Sequence, residues 1–151
     1  MRTCLFAFLL VVSAWAFAAD ELELERYKGS VVVVDFWASW CVPCRRSFPW
    51  MNEMQEKYRD DGLVFLAVNV DKDAANATKF LEEFPARFEI VYNPDATIAK
   101  AHKVEVMPTS IVFDRDGEPL TRHSGFKVKK QDQYEAILRE ALGLAPAGSQ
   151  Q

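Results

Sequence analysis

Two cysteines separated by two residues, Cys41-Val42-Pro43-Cys44, are the side chains of this chain best suited to covalent chemistry. They follow a β-branched and aromatic run, Val31 to Trp37, and open a stretch of helical periodicity. The first sulfur then lies over the unpaired N–H groups of a helix N-terminus, where the dipole favours an anion. Cys41 is the expected thiolate, since such motifs lower a thiol from about 8.5 to near ~7 and the thiolate is the form that attacks disulfides. Cys44, one turn on and covered by the helix, is placed to attack a mixed disulfide and release the product. Pro43 in the first turn gives up no hydrogen bond.

The same spacing also serves as half of a zinc site or as a structural bridge. Zinc takes about four ligands, and apart from Cys4 the chain offers only His102 and His123, far away in sequence; no metal is expected. A bridge across two intervening residues closes too small a loop to stabilise much. Asp35 lies inside the apolar run, on the side of Val33 and Trp37. It reads either as a charge at a strand edge or, given four valines before it, as a buried group. A buried carboxyl without a cationic partner has a raised pKa, which suits a base that takes the proton of Cys44 directly or through one water.

These residues need a scaffold, and the hydrophobic pattern supplies one. Val31 to Trp37 reads as a central strand covered on both faces. Phe48, Met51, Met54 and Tyr58 recur at helical spacing from Val42 to about Tyr58, with a kink expected at Pro49. Leu63 to Val70 is a second buried strand. Asp73 caps a helix whose stripe is Ala77, Phe80, Leu81 and Phe84, stopped by Pro85. Phe88 to Tyr92 is a strand, Asn93-Pro94-Asp95 a turn and Ala96 to His102 a short helix. Thr109 to Phe113 and Leu120 to Ser124, around Asp114-Arg115-Asp116-Gly117, form a hairpin. A last helix runs from about Lys130 to Leu142, with Gly143 just past its end. Strands that alternate with helices and end in a hairpin predict an α/β fold with a mixed sheet between helices.

The 151 residues, 26% charged and 50% hydrophobic, suit one domain. Residues 1–18 read as an export signal: Arg2, the apolar run Leu5 to Val12, and Ala16-Phe17-Ala18 as cleavage site. The alternative is an uncleaved N-terminal membrane anchor, although Cys4 to Ala19 falls short of the ~20 residues of a span. A lipid anchor fits less well, because Cys4 precedes the apolar run. Residues 19–30 form an N-terminal segment, 31–143 the domain, and 144–151 a disordered tail. Without the signal, 17 basic residues face 22 acidic ones, a balance that argues against nucleic acid or anionic lipid as the main partner.

The stretch Val34-Asp35-Phe36-Trp37-Ala38-Ser39-Trp40-Cys41-Val42-Pro43-Cys44-Arg45, with Pro49, Val68-Asn69-Val70, Met107-Pro108-Thr109 and Gly125, resembles the thioredoxin superfamily. Tyr27-Lys28-Gly29, Phe48-Pro49, the Asn69-Val70-Asp71 loop and the export signal are more similar to its exported TlpA/ResA-like branch. The resemblance runs from about Glu23 to Gly143. It implies the thioredoxin fold, a three-layer α/β/α sandwich with a central mixed β-sheet. It also implies a thiol-disulfide oxidoreductase with Cys41 as nucleophile, Cys44 as resolving thiol, and no cofactor beyond the Cys41-Cys44 redox-active disulfide. Pro108 is then a cis proline facing the sulfurs. Met107, Pro108 and Thr109 would receive an extended substrate strand, and Trp40, Pro43 and Trp37 would flank the site, with Trp37 reading equally well as plain core.

Two departures stand out. Ser47 occupies a helix position that many exported reductants of the branch fill with an acid, while the strand carries Asp35, as in general thioredoxins. The segments typical of the branch read as short, with little before Tyr27. The expected protein is a periplasmic monomer that accepts electrons from a membrane thiol donor and reduces oxidised protein substrates. A dithiol oxidant or isomerase of the same fold is the nearest alternative, and a non-catalytic binding module or a copper carrier the more distant ones.

Overall fold

A computed structural model describes residues 22–145 of the chain. The expected export signal, Cys4 and the last six residues of the expected tail lie outside them. The described chain runs β1 (Val31–Trp37), α1 (Val42–Tyr58), β2 (Leu63–Asn69), α2 (Ala74–Glu83), β3 (Glu89–Tyr92), α3 (Thr97–Ala101), β4 (Thr109–Phe113), β5 (Pro119–Ser124) and α4 (Gln131–Leu142). Short 3₁₀ turns at Leu24–Tyr27 and Val128–Lys130 precede β1 and α4. The strands form one five-stranded mixed sheet in the order β3-β2-β1-β4-β5. β1 pairs parallel to β2 and antiparallel to β4, so it is central and buried along its whole length. This is the thioredoxin fold.

Alternation along β1 divides the core. Val31, Val33 and Trp37 point to the face covered by α1, α2 and α4, where Phe48, Met51, Met54, Phe80 and Leu138 pack. Val32, Val34 and Phe36 point to the other face, covered by α3 through Ile98 and Ala99 and by Leu24 and Tyr27. The second outer layer is thin, because α3 has five residues and a 3₁₀ turn does the rest. The sheet edge beside β2 is closed by β3, reached through α2. The segment from β2 through α2 to β3 is therefore a complete parallel crossover.

Local chemistry sets the element ends. Asp73 accepts the N–H of Ala75 at 2.9 Å and caps α2, and Gly143, in the left-handed region at φ 74°, ends α4. Two residues of the expected tail are among those described. Leu144 packs on the core and donates its N–H to the Arg139 carbonyl, and Ala145 accepts from the Arg139 guanidinium, because a residue after a helix-ending glycine folds back onto the last turn. Trp37 is likewise core: it is fully buried, with its ring against Phe48 and Phe80 at centroid distances of 4.9 and 4.7 Å, since an inward position on a central strand leaves no path to the surface.

Candidate active site

Cys41 is the cap of α1, and its sulfur accepts the N–H of Cys44 at 3.2 Å. Pro43 falls in the first turn, where no intrahelical partner is lost. The two cysteines are joined in a disulfide with an S–S distance of 2.03 Å. Cys44 is completely buried and Cys41 keeps 3% exposure, so attack from outside reaches Cys41 first. The same N–H and the helix terminus favour negative charge at the position of the Cys41 sulfur. Next to it Trp40 is 67% exposed. Val42 and Val106, in the two segments expected at the site, are exposed as well.

The loop that carries Trp40 is tied down by residues that motif reading alone does not assign. The Ser39 N–H and hydroxyl each donate to the Asp71 carboxylate at 2.8 Å. Asn69 at the end of β2 donates to the same carboxylate at 2.8 Å and accepts the Asp71 N–H at 3.1 Å. The signal was the Asn-x-Asp spelling at a strand end, where a side chain can bond the backbone two residues on.

The second expected segment lies at the same edge of the sheet, because Thr109 at the start of β4 pairs with Phe36 near the end of β1. The Met107–Pro108 peptide is cis. Met107 is half-buried between the two core clusters. The Pro108 carbonyl accepts the N–H of Gly125 at 2.7 Å, and Gly125 sits at φ 75°, a conformation that a side chain would strain. Thr109 is fully buried and its hydroxyl donates to the Val106 carbonyl at 2.8 Å. It thus braces the loop from within.

Asp35 is 1% exposed on the face of β1 that turns toward α1. Ser110 donates its hydroxyl to Oδ1 at 2.5 Å, and Oδ2 has no partner. Burial pushes the carboxyl up to about 7, opposed in part by the Ser110 hydrogen bond. Ser47, one turn after Cys44 on the inner side of α1, lines the same small cavity as Asp35. The carboxyl therefore lies beneath the helix that carries the disulfide. Among the described residues no group of three or more His, Cys, Asp or Glu is arranged to hold a metal ion.

The chain is similar to known proteins in sequence and in fold. Among curated relatives, the thiol-disulfide oxidoreductase ResA of Bacillus thuringiensis subsp. konkukian is 31% identical over 111 residues, 74% of this chain and 64% of that protein. ResA of Geobacillus kaustophilus is 38% identical over 98 residues, 65% of this chain and 56% of that protein. The chain thus spans somewhat less than two thirds of the length of these relatives. Among solved structures, a candidate thiol:disulfide interchange protein DsbE from Chlorobium tepidum is 45% identical, with a TM-score of 0.78 over 80% of this chain and 85% of that one. The family model described as Redoxin matches residues 18–138. With its fold, its sequence and its paired cysteines in agreement, the chain belongs to the Redoxin family, within the thioredoxin superfamily.

Proposed function

We propose that this chain is a thiol-disulfide oxidoreductase that reduces disulfides of exported proteins through the Cys41/Cys44 pair, with no bound cofactor. The observation that carries the reading is the asymmetry of the pair: Cys41 caps a helix, follows an exposed tryptophan in sequence and keeps 3% exposure, while Cys44 is completely buried. The Cys41 thiolate attacks one sulfur of a substrate disulfide. That bond breaks, and the released sulfur leaves as a thiolate that takes a proton from solvent. Cys44 then gives its proton to Asp35 and attacks the Cys41 sulfur, directly or with one water carrying the proton. The mixed disulfide breaks, the second substrate sulfur leaves as a thiolate that takes a proton from solvent, and the Cys41–Cys44 disulfide remains with two electrons passed to the substrate.

Trp40, Pro43 and the Met107-Pro108-Thr109 loop frame the approach. The backbone at Met107 is the strand-pairing edge for an extended substrate. A membrane thiol donor returns the dithiol, and a signal cleaved after Ala18 delivers the chain to the periplasm as a monomer. Reduction is favoured over oxidation because Val42-Pro43 brings no charge between the cysteines to stabilise the reduced form. The names of the ResA relatives agree with the reaction class.

The test has two parts. Cys41→Ser should abolish reduction of a model protein disulfide, whereas Cys44→Ser should still attack and accumulate mixed disulfides. Equal trapping by both variants would refute the assignment. Equilibration against glutathione should place the pair within the range of thioredoxin-like reductants, about −200 to −270 mV, and a value near about −120 mV would make it an oxidant.

A further inference from the structure

Across the middle of the sheet, Asp35 of β1 pairs with Ser110 of β4, and Ser110 pairs with His123 of β5. Directly opposed residues of antiparallel strands point to the same side. The three therefore form one polar row on the face that packs under α1 and α4. All three line one cavity of about 10 Å³, the space of roughly one water. Two buried atoms among these side chains have no hydrogen-bond partner: Oδ2 of Asp35 and Nδ1 of His123. Buried polar atoms are rarely left so, and a water needs just such groups to hold it.

We propose that His123 is the residue through which the Asp35 carboxyl exchanges its proton with solvent, with one water joining Nδ1 to Oδ2 and Ser110 holding the carboxyl in place. His123 suits this role because Nδ1 is buried while the residue as a whole is only half-buried, so one imidazole reaches both the cavity and the outside. Its ring lies flat on Tyr134 of α4, at 4.7 Å and 12°, which fixes the orientation.

The surroundings add no competing charge. β2 contributes Phe65; α1 contributes Ser47, Trp50 and Met51; and α4 contributes Tyr134 with apolar neighbours. Asp35, His123 and Tyr134 are the titratable groups lining the cavity. The Tyr134 hydroxyl is engaged by the Lys127 N–H at 3.3 Å. Burial raises the carboxyl to about 7 and lowers the imidazole below its ordinary 6.5, so burial favours the neutral form of both groups. After Asp35 has taken the Cys44 proton, it hands it to the water, the water passes one of its own to Nδ1, and the imidazolium releases a proton to solvent. No bond other than O–H, N–H and S–H changes in this exchange.

The inference rests on Asp35 being the base for Cys44, and the experiment separates the two ideas. A mixed disulfide is formed on Cys41 and its resolution timed from pH 5 to 9 in wild type, Asp35→Asn, His123→Phe and His123→Ala, and the Asp35 carboxyl is titrated by infrared absorption in the reduced protein. His123→Phe keeps a ring on Tyr134. It should slow resolution roughly tenfold at pH 7, less than the 10²–10⁴ that loss of a direct acid-base group brings, and raise the Asp35 midpoint, while mixed-disulfide formation stays unchanged. Added imidazole should restore the rate in His123→Ala. Wild-type resolution in His123→Phe, or slow resolution that imidazole does not restore and that leaves the Asp35 midpoint unmoved, would overturn the role of His123 and leave Asp35 as base. Wild-type resolution in Asp35→Asn would overturn the base itself, and this inference with it.

Discussion

On one face of β1, Val32, Val34 and Phe36 pack with Leu66, Val68, Ile111 and Phe113 into an apolar cluster. On the other face, two residues after Val33 and two before Trp37, stands Asp35, with Ser110 and His123 beside it on the neighbouring strands. Both faces are buried, and their environments differ in what they accept. The α3 face only packs. The α1 face holds a carboxylic acid whose ionisation its surroundings oppose, and it lies directly under the disulfide helix. A buried titratable group without a cation weakens a fold, and the proton transfer proposed for Asp35 gives its position a reason that stability does not.

The largest expected effect comes from making the two faces alike. Val34→Asp would place a carboxylate on the face where no serine waits for it. The loss should exceed about 4 kcal/mol, a large share of the 5–15 kcal/mol that holds a typical domain together, and should appear in urea titration as a lost or much earlier transition. Near-native stability in that variant would erase the distinction.

Asp35→Asn probes the other face. The carboxyl holds its proton more tightly folded than unfolded, rising from 3.8 to about 7. Wild-type stability should therefore fall as pH rises from about 4 to 7 and level off above, with a total on the order of 4 kcal/mol for a shift of roughly three units. In Asp35→Asn this slope should vanish. The variant should match wild type near pH 3.5 and be more stable by about 2–4 kcal/mol at pH 8, while mixed-disulfide resolution slows. Parallel pH profiles of stability in the two proteins would show that the carboxyl is not desolvated.

Smaller effects should follow at the rims. Asp71→Ala removes the acceptor of Ser39 and Asn69; it should cost about 1–3 kcal/mol and also slow attack by Cys41, because the loop entering the helix loosens. A change in stability with an unaltered attack rate would make the clamp purely structural. On the α3 side, the Tyr27 hydroxyl donates to Glu89 at 2.6 Å, and burial together with that carboxylate pushes it up to about 12. Tyr27→Phe should cost less than about 1 kcal/mol at this partly exposed pair and leave disulfide exchange untouched; an effect on exchange would mean that the two faces communicate.

Much of this was legible in advance. The order of elements, the centrality of β1 and the placement of Cys41 at a helix start follow from period and local chemistry, and each appears within a residue or two of its expected bounds. Asp35 could be read as buried because four valines precede it. Ser110 and His123 could not be read as its neighbours. Ser110 follows a Pro-Thr pair and reads as ordinary strand, and His123 reads as an isolated histidine near a strand end. Trp37 read equally well as core or as a flank of the site, and the pleat turns it into the core.

The sequence by itself determined what depends on near neighbours along the chain: the alternation of β1, the cap that Cys41 makes, the glycine stop at Gly143, and the thiol pair one helical turn apart. Only the tertiary structure decided what shares the space beneath that pair. Asp35 and Ser110 are 75 positions apart, and their meeting depends on the register of β1 against β4. That register is set by packing two sheet faces at once, since a slip of one residue would turn every side chain of the strand to the wrong side.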